Sequence, residues 1–435
     1  MRFSRDTGYK KEGNTKTTAA NARPAANRAA ETADHDFTFE RVPEKARKSF
    51  PAMFFIMLGF TFFSASMSVG AKLGNGLNLS GFAWSVLLGG AILAVYTGLL
   101  AFIGSDSGLS FDLLARRAFG VKGSWLPSAM IGLTQIGWFG VGVAMFAIPA
   151  AEVLHAPAWL LVAVAGICMT GSAYFGIRGM EIISYISVPL IAILGIYSMI
   201  AATRQGGGLN AIFAQNAGSL TLFSGVGLVI GSFVSGGTAT PNFTRFSKTN
   251  RIAVITTVIA FFIGNTLMFA FGAVGGAFTE MDDIFYVMIA QGLTVPALVV
   301  LGANIWTTND NALYTGGLGL SNITSVRKRP MVIVSGIIGT VAAIWLYNNF
   351  IGWLNFLNAT LPPIGGIIIL DYFLNRSKYQ GEEKEKVAVN WGAVLGVVAG
   401  ALVGNFVKWG IASVNAMAVA CVCCLVYNKL INKNR

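Results

Sequence analysis

An all-α integral membrane protein of about twelve transmembrane helices, carrying an inverted internal repeat, is the fold that this sequence predicts. Hydrophobic residues make up 54% of the 435 and charged residues only 11%, which leaves too little polar surface for a soluble globule to cover itself. From Pro51 onward the chain breaks into apolar runs of roughly 18 to 28 residues, each long enough to cross a hydrocarbon core about 30 Å thick as a helix. Lipid cannot satisfy open backbone groups, so helices are the spanning element. The repeat rests on two spans of unusual character, described below.

The spans fall at 51–73, 81–104, 124–150, 157–177, 180–203, 219–242, 251–278, 295–318, 330–347, 348–374, 388–406 and 411–430. Residues 1–40 precede them and differ in kind: a polar Ala, Asn, Thr and Lys/Arg mixture without apolar periodicity, which reads as a disordered cytoplasmic tail. The tail has no apolar h-region and is not a signal peptide. Asp6, Glu12, Glu31, Asp34 and Asp36 set it apart from an organellar transit peptide.

Formal net charge is +12, and in such a chain the basic excess is topological rather than a nucleic-acid footprint. With the N-terminus inside, 21 basic residues fall in inner segments and only Lys72, Arg204 and Lys408 in outer ones, where Glu280, Asp282 and Asp283 also lie. That asymmetry puts both termini in the cytoplasm. It also supports the count of twelve, because one missed span would exchange every later loop.

Cys168 stands alone and Cys421, Cys423 and Cys424 share the last span, so they carry no metal or disulfide pattern. His35 and His155 are too few and too scattered for a metal site. No nucleophile triad, phosphate loop or zinc spacing occurs, which argues against an enzyme and against a resident cofactor.

Two spans contain stretches that a lipid-facing helix does not need: Gly59-Phe60-Thr61-Phe62-Phe63-Ser64-Ala65-Ser66 in the first and Gly231-Ser232-Phe233-Val234-Ser235-Gly236-Gly237-Thr238 in the sixth. Both put small and hydroxyl residues at mid-membrane. Five spans separate their starts, and an odd number inverts the second copy in the bilayer. Discontinuous helices at corresponding positions are the mark of inverted-repeat carriers; close packing through small residues is the alternative.

Polar groups also stand where lipid excludes them. Gln135 and Trp138, at i and i+3, set a planar amide beside a flat aromatic surface on one helix face, which suits a flat heterocycle. Asn304, Thr307, Thr308 and Asn311 form a stripe at i, i+3, i+4 and i+7 that must face protein or water. Its two threonine hydroxyls, with carbonyls freed by a broken helix, can replace the water shell of a sodium ion; interhelical hydrogen bonding is the alternative. Asp310 points about 240° around the helix from Asn304, and reads as a structural partner or, failing that, a proton carrier. The stripe has no committed charge, which favours a neutral substrate.

The strings MLGFTFFSASM (57–67), FGVKGSWLPS (119–128), TQIGWFGVGVAMFAIP (134–149), NIWTTNDNALY (304–314) and LYNNFIGWL (346–354) resemble the bacterial cytosine permeases of the nucleobase:cation symporter family. The resemblance runs from about Val42 to the last span. It implies a ten-helix transport core over 41–374, made of two inverted five-helix repeats of the LeuT type, with two additional transmembrane helices and a short tail in 375–435. It further implies a multi-pass protein of the bacterial inner membrane that imports cytosine by sodium symport. Another nucleobase, hydantoin or allantoin, coupled to sodium or to protons, is the alternative. By resemblance the base sits between Trp138 and Phe233 with polar contacts from Gln135, Ser232, Ser235 and Asn304. The sodium is held by carbonyls of Gly59, Phe63 and Asn304 and hydroxyls of Thr307 and Thr308. The tail over 1–40 departs from the family.

Overall fold

The computed structural model describes residues 37–174, 177–214, 218–381, 387–407 and 409–430, with the backbone alone over 177–184. The tail expected over 1–40 therefore lies, as far as residue 36, outside the described residues. From Thr38 onward the described chain forms one compact unit.

Among the described residues twelve helical segments follow in the expected order; eight are each long and apolar enough to cross a membrane, and the bent first pair makes a ninth. The first is split into α1 (Phe50–Thr61) and α2 (Ser64–Gly76), bent by 49° at the break. After it come α3 (Leu79–Ser107), the short amphipathic α4 (Phe111–Phe119), α5 (Trp125–Leu154), α6 (Ala158–Ala173) and α7 (Ile177–Gln205). The sixth span is α8 (Leu222–Thr238) with a single added turn, α9 (Pro241–Thr244), and the seventh is α10 (Asn250–Thr279). A loop helix, α11 (Ile284–Ala290), leads to α12 (Gly302–Thr324) and α13 (Lys328–Asn348). The tenth span is α14 (Phe350–Thr360) and α15 (Pro362–Leu374); the short α16 (Arg376–Gln380) then leads to α17 (Trp391–Phe406) and α18 (Ala412–Leu430).

Local chemistry sets several ends. The side chain of Asn78 accepts from the Gly81 N–H at 2.7 Å and that of Ser110 from the Leu113 N–H at 3.3 Å, which satisfies first-turn donors that would otherwise be orphaned. Gly108, at φ +67°, closes α3 in the left-handed conformation. Apolar side chains such as Val341, 83% exposed, and Ile167, 73% exposed, cover the outer faces of α13 and α6, as helices bathed in lipid require.

The sequence and the structure part company at the sixth span. No break occurs within Gly231–Thr238: α8 is continuous there, and the chain turns only at Ala239 and Thr240, before Pro241. The hydroxyls that suggested a break instead bond back into the helix, Ser232 Oγ donating to Val229 O at 2.8 Å and Thr238 Oγ1 to Val234 O at 2.7 Å, and the ladder survives them. The eighth span turns helical at Thr294, close to the expected 295, but a π-helical turn, Ala297–Leu301, stands between that start and the regular helix α12 from Gly302. A second π turn, Ile259–Gly264, interrupts α10. Neither has a signature in hydropathy.

Small residues let α2 and α10 touch backbone to backbone. A Cβ on Gly272 would overlap the Met67 carbonyl, one on Gly70 the Phe269 carbonyl and one on Gly74 the Ala273 carbonyl, so the pairs Gly70/Gly74 and Gly272/Gly276, each at i, i+4, bring the two helices closer than any larger residue allows. Gly272→Leu should therefore lower the melting temperature of the purified protein, since overpacking costs about 1–3 kcal/mol. Gly171→Leu, placed where a side chain meets open space, should leave it unchanged. Equal melting of the two variants would contradict this packing.

Candidate functional site

The break in the first span is held by one side chain. The last backbone bond of α1 runs from Phe62 N–H to Leu58 O at 2.7 Å, Phe63 is extended (φ −127°, ψ 128°), and α2 starts at Ser64. Two helix ends so created inside a membrane need partners. Asn304 of α12, fully buried, supplies them: its Oδ1 accepts from both the N–H and the Oγ of Ser64 at 2.9 Å, and its Nδ2 donates to Phe62 O. Asn304 is thus a splint across the break, and its side chain is not part of the cavity wall described next.

One turn along α12, Thr307 Oγ1 donates to Asn304 O at 2.7 Å and Thr308 Oγ1 to the same carbonyl at 3.2 Å. Both hydroxyl protons are committed, which turns their lone pairs outward as acceptors. Phe63 O accepts from Ser66 N–H at 2.9 Å and keeps a second lone pair. Gly59 O follows the last bonded carbonyl of α1. The five residues expected at a cation therefore lie on two elements in contact, the broken first span and α12.

Five of the six residues expected around a substrate line one cavity: Gln135 and Trp138 from α5, and Ser232, Phe233 and Ser235 from α8. Two aromatic groups wall it. Trp138 meets Phe63 edge-to-face at 5.7 Å and Phe350 at 5.8 Å, while Phe233 meets Phe60 at 5.3 Å and Phe261 at 5.4 Å. Trp138 Nε1 donates to Ser235 Oγ at 2.8 Å, which ties α5 to α8 across the cavity. The volume is about 20 Å³, room for about one water, so this conformation is collapsed and a heterocycle enters only as the walls part.

Sequence reasoning passed over Phe60, Gly236, Asn309 and Ala312, which also line the cavity. Ala312 had a signal, since it continues the row Asn304, Thr308 at i+4; Asn309, off that row, had none. Asp310 faces α6, away from the cavity. Its Oδ1 accepts from Ser172 Oγ at 2.6 Å, and the Ser172 hydroxyl in turn accepts from Trp306 Nε1 at 2.6 Å. Asn311, the last member of the stripe, is 1% exposed and does not line the cavity.

A second cavity, of about 320 Å³, is lined by Ser68, Lys72, Asp282, Asp283, Tyr347 and Phe350, among others. Lys72 Nζ pairs with Asp282 at 2.9 Å, and Tyr347 OH donates to Asp283 Oδ2 at 2.7 Å. Burial pushes the Asp283 carboxyl up against the opposing pull of the Tyr347 hydroxyl and the Phe285 N–H. Phe350 borders this cavity and packs edge-to-face on Trp138 of the smaller one at 5.8 Å.

The chain matches the family of permeases for cytosine/purines, uracil, thiamine and allantoin over residues 41–428. It is 50% identical over 402 residues to the cytosine permease of Escherichia coli K12, covering 92% of this chain and 96% of that one. It is 24% identical over 363 residues to the hydantoin permease of Microbacterium maritypicum, covering 74% and 73%. Among solved structures it resembles a nucleobase-cation-symport-1 family transporter in a closed conformation with bromovinylhydantoin bound, at a TM-score of 0.77 and 18% identity over 90% of this chain and 95% of that one. A Na⁺-coupled sialic acid symporter in a substrate-bound outward-open state gives 0.72 and 16% identity, with 93% of each chain covered. These likenesses give the fold as the LeuT type, two inverted five-helix repeats followed by two further helices. The chain belongs to the family of permeases for cytosine/purines, uracil, thiamine and allantoin, and is a multi-pass membrane transporter.

Proposed function

We propose that this protein imports cytosine by sodium symport across the bacterial inner membrane, with alternating access to a site at the broken first span and with both termini in the cytoplasm. The observation that carries the reading is the cavity itself. Two amides, three hydroxyls and two aromatic walls, with no charged group among them, match a neutral planar ring that needs stacking on its faces and hydrogen bonds at its edge. Half of the aligned residues are shared with the E. coli cytosine permease, which favours cytosine within the family's range.

The neighbouring oxygens support sodium as the coupling ion. Thr307 and Thr308 hydroxyls with the carbonyls of Gly59 and Phe63 offer four neutral, hard donors, and Asn304 O becomes a fifth once it is released from the two threonine hydroxyls that it accepts here; together they are enough to replace much of a monovalent ion's hydration shell. No carboxylate is required, and Asp310, engaged with Ser172 on the far side of α12, stands outside the cycle. The basic excess on one side of the spans supports the orientation.

Uptake of labelled cytosine by cells lacking their own permease, with other bases as competitors, tests the substrate. Trp138→Ala and Gln135→Ala should each abolish specific uptake while the protein remains in the membrane. Loss of the amide alone costs about 1–3 kcal/mol, roughly a 5-fold to 150-fold loss of affinity. Near-normal uptake in either variant would place the site elsewhere. For the ion, sodium should tighten cytosine binding to purified protein at fixed pH in the parent and in Asp310→Asn, and much less in Thr308→Ala. Binding that ignores sodium, follows pH and loses that response in Asp310→Asn would assign coupling to protons.

A further inference from the structure

At one end of the bundle a polar network joins four elements that must part for the site to open there. Phe111 N–H donates to Asn242 Oδ1 at 2.8 Å, Asn242 Nδ2 to Thr315 Oγ1 at 3.5 Å, and Arg245, fully buried, to Tyr314 OH at 2.9 Å. These bonds run from the segment after α8 to α4 and α12. Alongside them, Asn322 Nδ2 donates to Ser124 Oγ at 3.0 Å and to Ser128 Oγ at 2.8 Å, its Oδ1 accepts from Arg116, and Ser128 Oγ donates to Asp112 Oδ1 at 2.6 Å. Asp112 is 4% exposed, and its Oδ2 has no hydrogen-bond partner. A carboxyl sealed in this way, one oxygen satisfied and one not, is the weak member of an otherwise bonded closure.

We propose that Asp112 is a proton-operated latch on the cytoplasmic closure: ionised, it weakens the closure, and protonated, it lets the closure hold. This rests on the reading above that the protein alternates access and that this end faces the cytoplasm. The charged groups that act on Asp112 are Arg116 of its own helix and Arg245 after α9. The facing residues of α5 and α12 are the neutral Ser128 and Asn322. On α15 and α16, which also pack on α4, Asp371 is engaged by Tyr379 OH and by Lys378 at 3.4 Å; at the end of α3, Asp106 is held by Arg376 at 3.0 Å.

Burial pushes the Asp112 carboxyl up to about 6, outweighing the opposing pull of the Ser128 hydroxyl, Arg245 and Arg116. When the closure opens, water reaches the carboxyl and its proton affinity falls to the ordinary carboxylate range. The closed form therefore binds the proton more tightly, and acid stabilises it. By linkage, the closed-to-open ratio should rise about 10-fold between about pH 7.5 and pH 5.

Hydrogen exchange of the purified full chain, corrected for the chemical exchange rate, reads this directly over residues 241–247 and 314–322. Opening should slow about 10-fold at the lower pH in the parent. It should be slow and independent of pH in Asp112→Asn, and remain pH-dependent in Asp112→Glu. Ser128→Ala, which removes the bond favouring the ionised form, should move the midpoint to higher pH and keeps the test open should Asp112→Asn fold poorly. Exchange that ignores pH in the parent, or a pH response that survives in Asp112→Asn, would overturn the latch. Cytosine uptake into proteoliposomes separates the two readings: no uptake at any pH removes the transport reading and leaves the exchange result standing.

Discussion

Asn304 is the side chain on which the rest of the structure depends. A helix broken within a membrane strands an N–H on one side and a carbonyl on the other, and an unpaired group of that kind costs about 2–7 kcal/mol in an apolar medium. One amide from α12 satisfies both, at Ser64 and Phe62. With the break so held, Phe63 can stay extended, its ring set against Trp138, while Phe60 on the other side of the break rests on Phe233. Both aromatic walls of the cavity are thereby anchored to the break, and the two threonine hydroxyls are ordered by the same residue's carbonyl.

Within the cavity one polar pair, Trp138 with Ser235, is bonded side chain to side chain, while Asn309 Oδ1 is buried without a hydrogen-bond partner. Trp138 Nε1 on Ser235 Oγ spans α5 and α8, and a ring entering between them exchanges that bond for its own. Such exchange penalises a ring that cannot offer hydrogen-bonding edges. Phe350, which lines the larger cavity beside Lys72 and Asp283, also packs edge-to-face on Trp138 of the smaller one.

Much of this was legible in the sequence. Apolar run length gave the order of the helical segments, because length against bilayer thickness is a strong constraint, and the run from Gly59 to Ser66 located the sharp bend of the first span. The same cue misled at Gly231–Thr238, where hydroxyls bond back to the preceding turn and leave the helix whole; small polar residues at mid-membrane do not by themselves distinguish a break from a self-satisfied helix. The stripe on α12 announced a buried polar face, and Gln135 with Trp138 a flat surface. What periodicity could not convey was that Asn304 would point at the backbone of the first span and Asp310 at Ser172. Those directions are set by neighbouring helices, as are the π turns, and no local pattern encodes them.

If one residue joins the break to the ion oxygens, then substrate and ion must be coupled through it, and coupling is reciprocal. The most direct measurement is a pair of calorimetric titrations on purified protein, cytosine with and without sodium and sodium with and without cytosine, in the parent and in Asn304→Ser. In the parent the two enhancement factors should be equal and well above one; in Asn304→Ser they should fall together towards one. Enhancement that persists undiminished in Asn304→Ser would contradict the account.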